Sequence, residues 1–308
     1  MNQKPLLKVE GLKQYFRINR NYTVKAVDDV SFEVYPGEIF GLVGESGSGK
    51  STIGRSVIRL YDPTAGRIEF SGMDISGKLD RATETALRTK MQMIFQDPVA
   101  SLNPRKKVLD IVAQGLDIHN PGMSRSERED RVAQMLRKVG LAQEHITRYP
   151  HQFSGGQRQR IGIARALIMN PELIIADEAI SALDVSVQAQ VVNLMKEIQQ
   201  ETGMGFIFIA HDLSMVKYLS DRIGVLHLGH IVETGTSEEI FSNPIHPYTR
   251  SLLSANPSPN PRVEKTRQVM HYDYATSGID YLKGKLRNVG GMHQVLSIEE
   301  ELARWTHT

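Results

Sequence analysis

The 308-residue chain contains no cysteine. Disulfides, thiolate-bound metals and cysteine-ligated iron–sulfur clusters are thereby excluded, and the composition suits a reducing compartment without requiring one. Charge of one sign is also missing. The 37 Lys+Arg stand against 35 Asp+Glu, so no basic field points to a nucleic-acid partner. Apolar runs are short: Phe206 to Ala210 is among the longest, far below the ~20 residues a membrane helix needs. The N-terminal MNQKPLLKVEGLK lacks the apolar centre of a signal peptide, so none is expected. Any attachment to a membrane is expected to run through a partner. Internal repeats, coiled-coil heptads and low-complexity tracts do not occur. What remains is an ordinary globular balance, 40% hydrophobic and 23% charged, over a length that suits one large or two modest domains.

Within that ordinary background, residues 44–52 read GESGSGKST. Holding so much glycine in one conformation costs backbone entropy, which asks for a compensating role. Glu38 to Val43 reads as a buried strand, and Ser51 to Leu60 as a helix with Ile53, Val57 and Leu60 on one face. Strand, glycine-rich turn and helix form a phosphate cradle, and Gly44, Gly49, Lys50 and Ser51 fit the P-loop pattern. Gly44, Glu45, Ser46, Gly47, Ser48, Gly49, Lys50, Ser51 and Thr52 are therefore the expected nucleotide grip. Backbone N–H groups converge there on phosphate oxygens, aided by the positive end of the helix dipole. Lys50 would reach the β and γ phosphates and the Ser51 hydroxyl would ligate Mg²⁺.

Strand-like and helix-like segments alternate over most of the first 250 or so residues, which predicts an α/β fold with a largely parallel sheet. Leu7 to Val34 reads as short strands with polar turns, and Pro36-Gly37 as a turn. A helical stretch follows Asp97. Ser124 to Glu127 reads as a capping box, with Val132, Met135, Leu136 and Val139 marking one helix face and Gly140 its stop. Alternation resumes at Leu173 and runs to about Phe241. Beyond Asn256, PSPNPR signals a linker. Ser297 to Glu300 reads as the cap of a final helix through Trp305, behind a strand near Val295.

Two further stretches carry chemistry. Leu173 to Glu178, LIIADE, is an apolar strand ending in two acids. At the ligand edge of a parallel strand, Asp177 is placed to hold Mg²⁺ and Glu178 to polarise an attacking water. In FSGGQ at 153–157, Ser154 caps a helix whose Ile161, Ala164, Leu167 and Ile168 share one side. Gly155 and Gly156 just inside that helix cost about 1 kcal/mol each against alanine, more than a plain cap needs. A second phosphate grip fits better. Two grips on separate lobes cannot close on one ATP within one chain, so a head-to-tail dimer is expected.

Taken together, these stretches resemble the ATP-binding subunit of an ABC transporter. GESGSGKS at 44–51 matches Walker A, LIIADE at 173–178 Walker B, FSGGQ the signature, and Ser181-Ala182-Leu183-Asp184 the D-loop. Gln96 matches the Q-loop glutamine and His211 the switch histidine. Tyr15 sits where the family stacks an aromatic ring on adenine, with Phe16 beside it as the alternative. The resemblance covers residues 7 to about 240. It implies a P-loop NTPase ABC cassette: a RecA-like core with an antiparallel β subdomain and a helical subdomain near 97–165. The ATP-binding domain would span 1–260 and a C-terminal extension 261–308. It implies ATP and Mg²⁺, the metal held by Ser51, Asp177 and Gln96. Glu178, Gln96 and His211 would be catalytic, with His211 on the γ-phosphate. Ser154, Gly155, Gly156, Gln157 and Asp184 would meet nucleotide across the dimer.

FQDPVASLNPR at 95–105, YPHQFSGGQRQRIGIARAL at 149–167 and HPYTRSLLSANPSPNP at 246–261 resemble the oligopeptide/dipeptide importer group. The implied partners are a second, different cassette, two transmembrane permease subunits and an extracytoplasmic substrate-binding protein, with no nucleic acid. The implied place is the cytoplasmic face of the cell membrane. Nickel and glutathione importers of the same group stay open. A soluble ABC ATPase of repair or translation would show tandem cassettes, long coiled coils or zinc cysteines, which this sequence does not, and a non-hydrolysing regulatory module would not need the Asp177, Glu178 and His211 set. Two departures stand out: Ala179 where the family usually has proline, and no cysteine cluster after HPYT.

Overall fold

The computed structural model describes residues 4–256 and 268–306, so the linker expected at PSPNPR lies outside the described residues. These residues gather into two compact units. The first comprises 4–6, 34–38 and 77–209, and the second 7–33, 39–76, 210–256 and 268–306.

In the second unit, strands β1 (Leu7–Arg17), β2 (Thr23–Val34), β4 (Ala65–Phe70) and β5 (Met73–Asp74) form one sheet in the order β2-β1-β4-β5. The β1–β4 and β4–β5 pairs are antiparallel. Two strands of 11 and 12 residues replace the short strands and polar turns expected there. Leu7 and Val9 are buried while Lys8 and Glu10, which alternate with them, pair with each other at 2.8 Å. Polar residues alternating on an outer face look like turns in sequence, yet are what a half-covered antiparallel strand carries. The same unit holds β3 (Ile39–Val43), β9 (Arg222–His227), β10 (His230–Thr236), β11 (Lys285–Gly290) and β12 (His293–Ser297), ordered β11-β12-β10-β9-β3. Only β3–β9 is parallel; β9–β10, β10–β12 and β12–β11 are antiparallel. The first unit contributes β6 (Met91–Ile94), β7 (Leu173–Asp177) and β8 (Gly205–Ile209), parallel throughout. The expectation of a largely parallel sheet is corrected at the C-terminal side. Leu228 and Gly229, at φ 47° and 82°, make a two-residue hairpin turn that forces β9 and β10 antiparallel.

Strands β3, β7 and β8 are buried at every position, as their apolar runs require. After β3 the helix Lys50–Val57 buries Ile53 and Val57. Its expected extension to Leu60 fails because Arg59, at φ 62°, turns the chain and leaves Leu60 57% exposed. The first unit is rich in helices, among them Val108–Val112, Gln114–His119, Arg125–Lys138, Gly155–Leu167 and Val185–Thr202. Ser124 accepts from the Glu127 N–H at 3.2 Å, but the Glu127 carboxylate pairs with Arg131 instead of returning, so the capping box is half made. Val132, Leu136 and Val139 are buried, Met135 half-buried, and Gly140 ends the run at φ 73°.

At the far end of the second unit, helix Glu299–Thr306 packs Trp305 against Ile245 and Val295. Ser297 does not cap it. That hydroxyl is buried without a partner, and Glu301 accepts the Ile298 N–H at 3.0 Å in its place. Among the described residues no helix is long and apolar enough to cross a membrane.

Candidate functional site

Strand β3 ends at Val43, paired with Val225, and the chain leaves it through Gly44 at φ 150°, Gly47 at 81° and Gly49 at 109°. Only glycine takes such a series readily. A Cβ on Gly44 would meet the Leu226 carbonyl oxygen, and one on Gly49 the Ala26 carbonyl oxygen. The turn therefore fits its surroundings only as bare backbone. Glu45, Ser46 and Gly47 are exposed and Ser48 is buried. Lys50 is 4% exposed, and its ammonium donates to the carbonyls of Gly44 and Glu45, both at 2.8 Å. Gly49 occupies the cap position of the helix that Lys50, Ser51 and Thr52 begin, and it has no side chain to spend on capping. The dipole at that start favours an anion.

In the first unit, Asp177 closes β7 opposite Ile209 and is 2% exposed. Glu178 belongs to no strand. It sits at φ 47°, in the left-handed region, with its N–H on the Ile209 carbonyl at 2.9 Å. The two acids expected at one strand end are thus separated by a backbone reversal that turns Glu178 out of the strand's alternation. A glutamate at such a dihedral is held by its neighbours rather than by preference. Ser181 does so here, its N–H and hydroxyl both donating to the Glu178 carbonyl at 3.1 and 3.0 Å. Ala179, where proline stiffens the family's loop, is buried in that turn. Gln96, two residues past β6, donates its amide N–H to the Glu178 carboxylate at 2.6 Å. The structure thereby brings the Q-loop residue onto the acid expected as general base.

Ser154 and Gln157 close a reciprocal capping box: the Gln157 N–H donates to the serine hydroxyl at 3.3 Å, and the Ser154 N–H to the glutamine side chain at 3.1 Å. Gly155 and Gly156 lie in the helix at ordinary negative φ. Their bareness makes room. A Cβ on Gly156 would collide with Val187, and one on Gly155 would lie 3.7 Å from Leu183. Leu183 and Val187 flank Asp184, which precedes helix Val185–Thr202, so the stretches expected as signature and D-loop are packed neighbours.

The remaining expected residues lie in the second unit. His211 is exposed, next to Asp212, whose carboxylate caps helix Leu213–Leu219 by accepting the Ser214 N–H at 2.8 Å. Tyr15, in β1, is half-buried and donates its hydroxyl to Asp28 at 2.5 Å. Burial, with the Asp28 charge, pushes its phenol up to about 12. The Lys25 ammonium lies 5.2 Å from the ring centroid. Phe16, the alternative, packs edge-on against Tyr61 at 5.3 Å. Sequence reading missed Tyr248, whose hydroxyl accepts the Glu45 N–H at 3.0 Å across 203 positions of chain. Its only sequence signal was HPYT, a stretch without a catalytic reason.

A buried strand that runs through a turn of positive-φ glycines into a helix start, with Lys50 seated on the turn's own carbonyls, is a P-loop. The chain belongs to the ABC transporter family, whose profile matches residues 27–181. A second profile, the C-terminal region of oligopeptide/dipeptide transporters, matches 232–277. The chain is similar to the oligopeptide transport ATP-binding protein OppF of Bacillus subtilis (strain 168), with 57% identity over 96% of this chain and 97% of that one. It is also 53% identical to the dipeptide transport ATP-binding protein DppF of Lactococcus lactis subsp. cremoris (strain MG1363), over 97% of this chain and 96% of the relative. Among solved structures, the dimeric post-hydrolysis state of the ATP-binding cassette MJ0796 bound to ADP and Pi superposes with TM-score 0.68. That match has 29% identity and covers 75% of this chain and 98% of the other.

Proposed function

We propose that the chain is the ATP-hydrolysing subunit of an ABC importer that takes up oligopeptides or dipeptides across the cytoplasmic membrane. The observation that carries hydrolysis, beyond binding, is the 2.6 Å hydrogen bond from Gln96 to Glu178 beside the buried Asp177. That bond uses the amide nitrogen of Gln96, and the amide oxygen is the atom a hard cation takes. That oxygen, the Asp177 carboxylate and the Ser51 hydroxyl are each hard oxygen donors, the chemistry Mg²⁺ takes, and these three residues would hold it. Mg²⁺ held by Ser51, Asp177 and Gln96 would neutralise charge on the phosphates. Lys50 and the N–H groups of the 44–52 turn hold the phosphates, and Tyr15 stacks on adenine. Glu178, aimed by Gln96 and by the Ser181-held turn, takes the proton of the attacking water. His211 contacts the γ-phosphate.

The signature acts across a dimer. Ser154 accepts from Gln157 within its own helix, but a hydroxyl keeps one proton to donate, and a partner cassette's γ-phosphate is its acceptor. A dimeric cassette among the similar structures supports this arrangement. The names of the similar proteins, oligopeptide and dipeptide transport ATP-binding proteins, support the peptide substrate. The partners are then a second, different cassette, two transmembrane permease subunits and an extracytoplasmic binding protein. Through them the chain sits peripherally on the cytoplasmic side.

Glu178→Gln tests the reading. It should keep Mg-ATP binding in the assembled complex while cutting hydrolysis by about 10²-fold or more, the scale of a lost general base. Near-normal phosphate release would remove Glu178 from that role.

A further inference from the structure

Tyr248 is the second residue of the helix Pro247–Ser254 and is 1% exposed. Its position is over-determined. The Glu233 carboxylate, fully buried, accepts the N–H groups of Ile245 at 2.8 Å and His246 at 3.0 Å and pairs with His293 at 2.7 Å. His246 in turn accepts the Tyr248 N–H on its Nδ1 at 3.1 Å. The Tyr248 ring stacks on His227 with centroids 4.0 Å apart, and His227 Nδ1 lies 2.7 Å from the Tyr281 hydroxyl. A ring so fixed offers its hydroxyl at one place, and that place is the Glu45 N–H, 3.0 Å away. Burial holds this phenol up at about 12, so the acceptor is a neutral hydroxyl.

The bond reaches further than one amide. The Glu45 N–H and the Gly44 C=O belong to the same planar peptide group. That carbonyl accepts the Lys50 ammonium at 2.8 Å. Gly44 itself restrains the peptide little, because glycine turns freely about its own bonds. We infer that Tyr248 is a positioning residue of the phosphate grip: by fixing the Gly44–Glu45 peptide plane it fixes the carbonyl that seats Lys50. The HPYT stretch thereby acquires a physical link to nucleotide binding, made within the second unit. The inference rests on the proposed ATP grip.

Mg-ATP affinity of the purified full chain provides the test. Tyr248→Phe removes the hydroxyl and keeps the stacked ring, and should weaken Mg-ATP binding about fivefold, the usual worth of one hydrogen bond. Val289→Ala removes packing from the Ile245, Val295 and Trp305 cluster of the same unit without touching the turn, and should lower thermal stability while leaving the affinity unchanged. An affinity within twofold of the unaltered chain for Tyr248→Phe, or an equal loss for Val289→Ala, would overturn the inference. If the unaltered chain fails to bind Mg-ATP, the ATP reading falls first and this inference with it. Should Tyr248→Phe not fold, hydrogen exchange in the unaltered chain decides. The Glu45 amide should exchange slowly without nucleotide, and exchange at the rate of an unstructured loop would sink the idea.

Discussion

The two glycine-rich helix starts of this chain use glycine for opposite reasons. In the 44–52 turn the glycines supply dihedrals: Gly44, Gly47 and Gly49 all stand at positive φ, and the backbone itself blocks a Cβ at the first and last. In the signature the dihedrals are ordinary, and Gly156 is bare because Val187 occupies the space a side chain would need. The first obstacle is a carbonyl that cannot retreat, the second a methyl group that can be removed. The first helix start has no side-chain cap, and the second carries a full capping box. One motif word, glycine-rich, thus covers a conformational device and a packing device.

That difference breaks or holds under substitution. Gly49→Ala meets both a forbidden dihedral and the Ala26 carbonyl, and Mg-ATP affinity should fall about 100-fold or more, given strain of order 1–3 kcal/mol before any overlap. No change at a neighbouring side chain should restore it, and restoration by one would end the contrast. Gly156→Ala should cost about tenfold in ATP hydrolysis, from overpacking of order 1–3 kcal/mol, with most of the loss recovered by adding Val187→Ala. Failure of that rescue would place Gly156 in the conformational class with Gly49.

The smallest effect sharpens the comparison by acting on the second unit alone. Burial, with the neighbouring His230 charge, holds His227 down at about 4. Burial, with the His227 charge, holds His246 at about 3, against an ordinary 6.5. Both are neutral in the fold, whereas the unfolded chain takes up protons below 6.5. Their contribution is complete above that value and is lost as the pH falls toward 4. Between pH 7 and 6 the loss should be roughly 0.7 kcal/mol for each histidine. Denaturant unfolding followed by fluorescence of Trp305, the one tryptophan, reads this directly, and a flat response over that interval would contradict it.

Much of this was legible in the sequence because it was local. Apolar runs marked β3, β7 and β8, and the motif spacing marked the 44–52 turn and the helix after Ser154. What stayed hidden depended on single dihedrals or distant partners. Arg59 and Glu178 leave their elements at positive φ although neither residue type announces it. Leu228-Gly229 closes a hairpin without a familiar turn pair, and so concealed the antiparallel side of the sheet. The bond between Tyr248 and Glu45 spans most of the chain, beyond any periodicity.

The hairpin of β11 and β12 has a consequence for the chain's behaviour among its own copies. Without it β10, carrying Ile231 and Val232, would present a bare row of N–H and C=O groups, the usual template for one chain to extend another's sheet. Strand β12 pairs with that row at Glu233 and Thr234, and the outermost described strand, β11, is a poor template: Lys285 is exposed, Arg287 turns to Glu299 at 3.3 Å, and Gly290 bends its end at φ 137°. Residues 285–297 therefore end this side of the sheet in a charged and bent strand, the kind of edge that does not template growth.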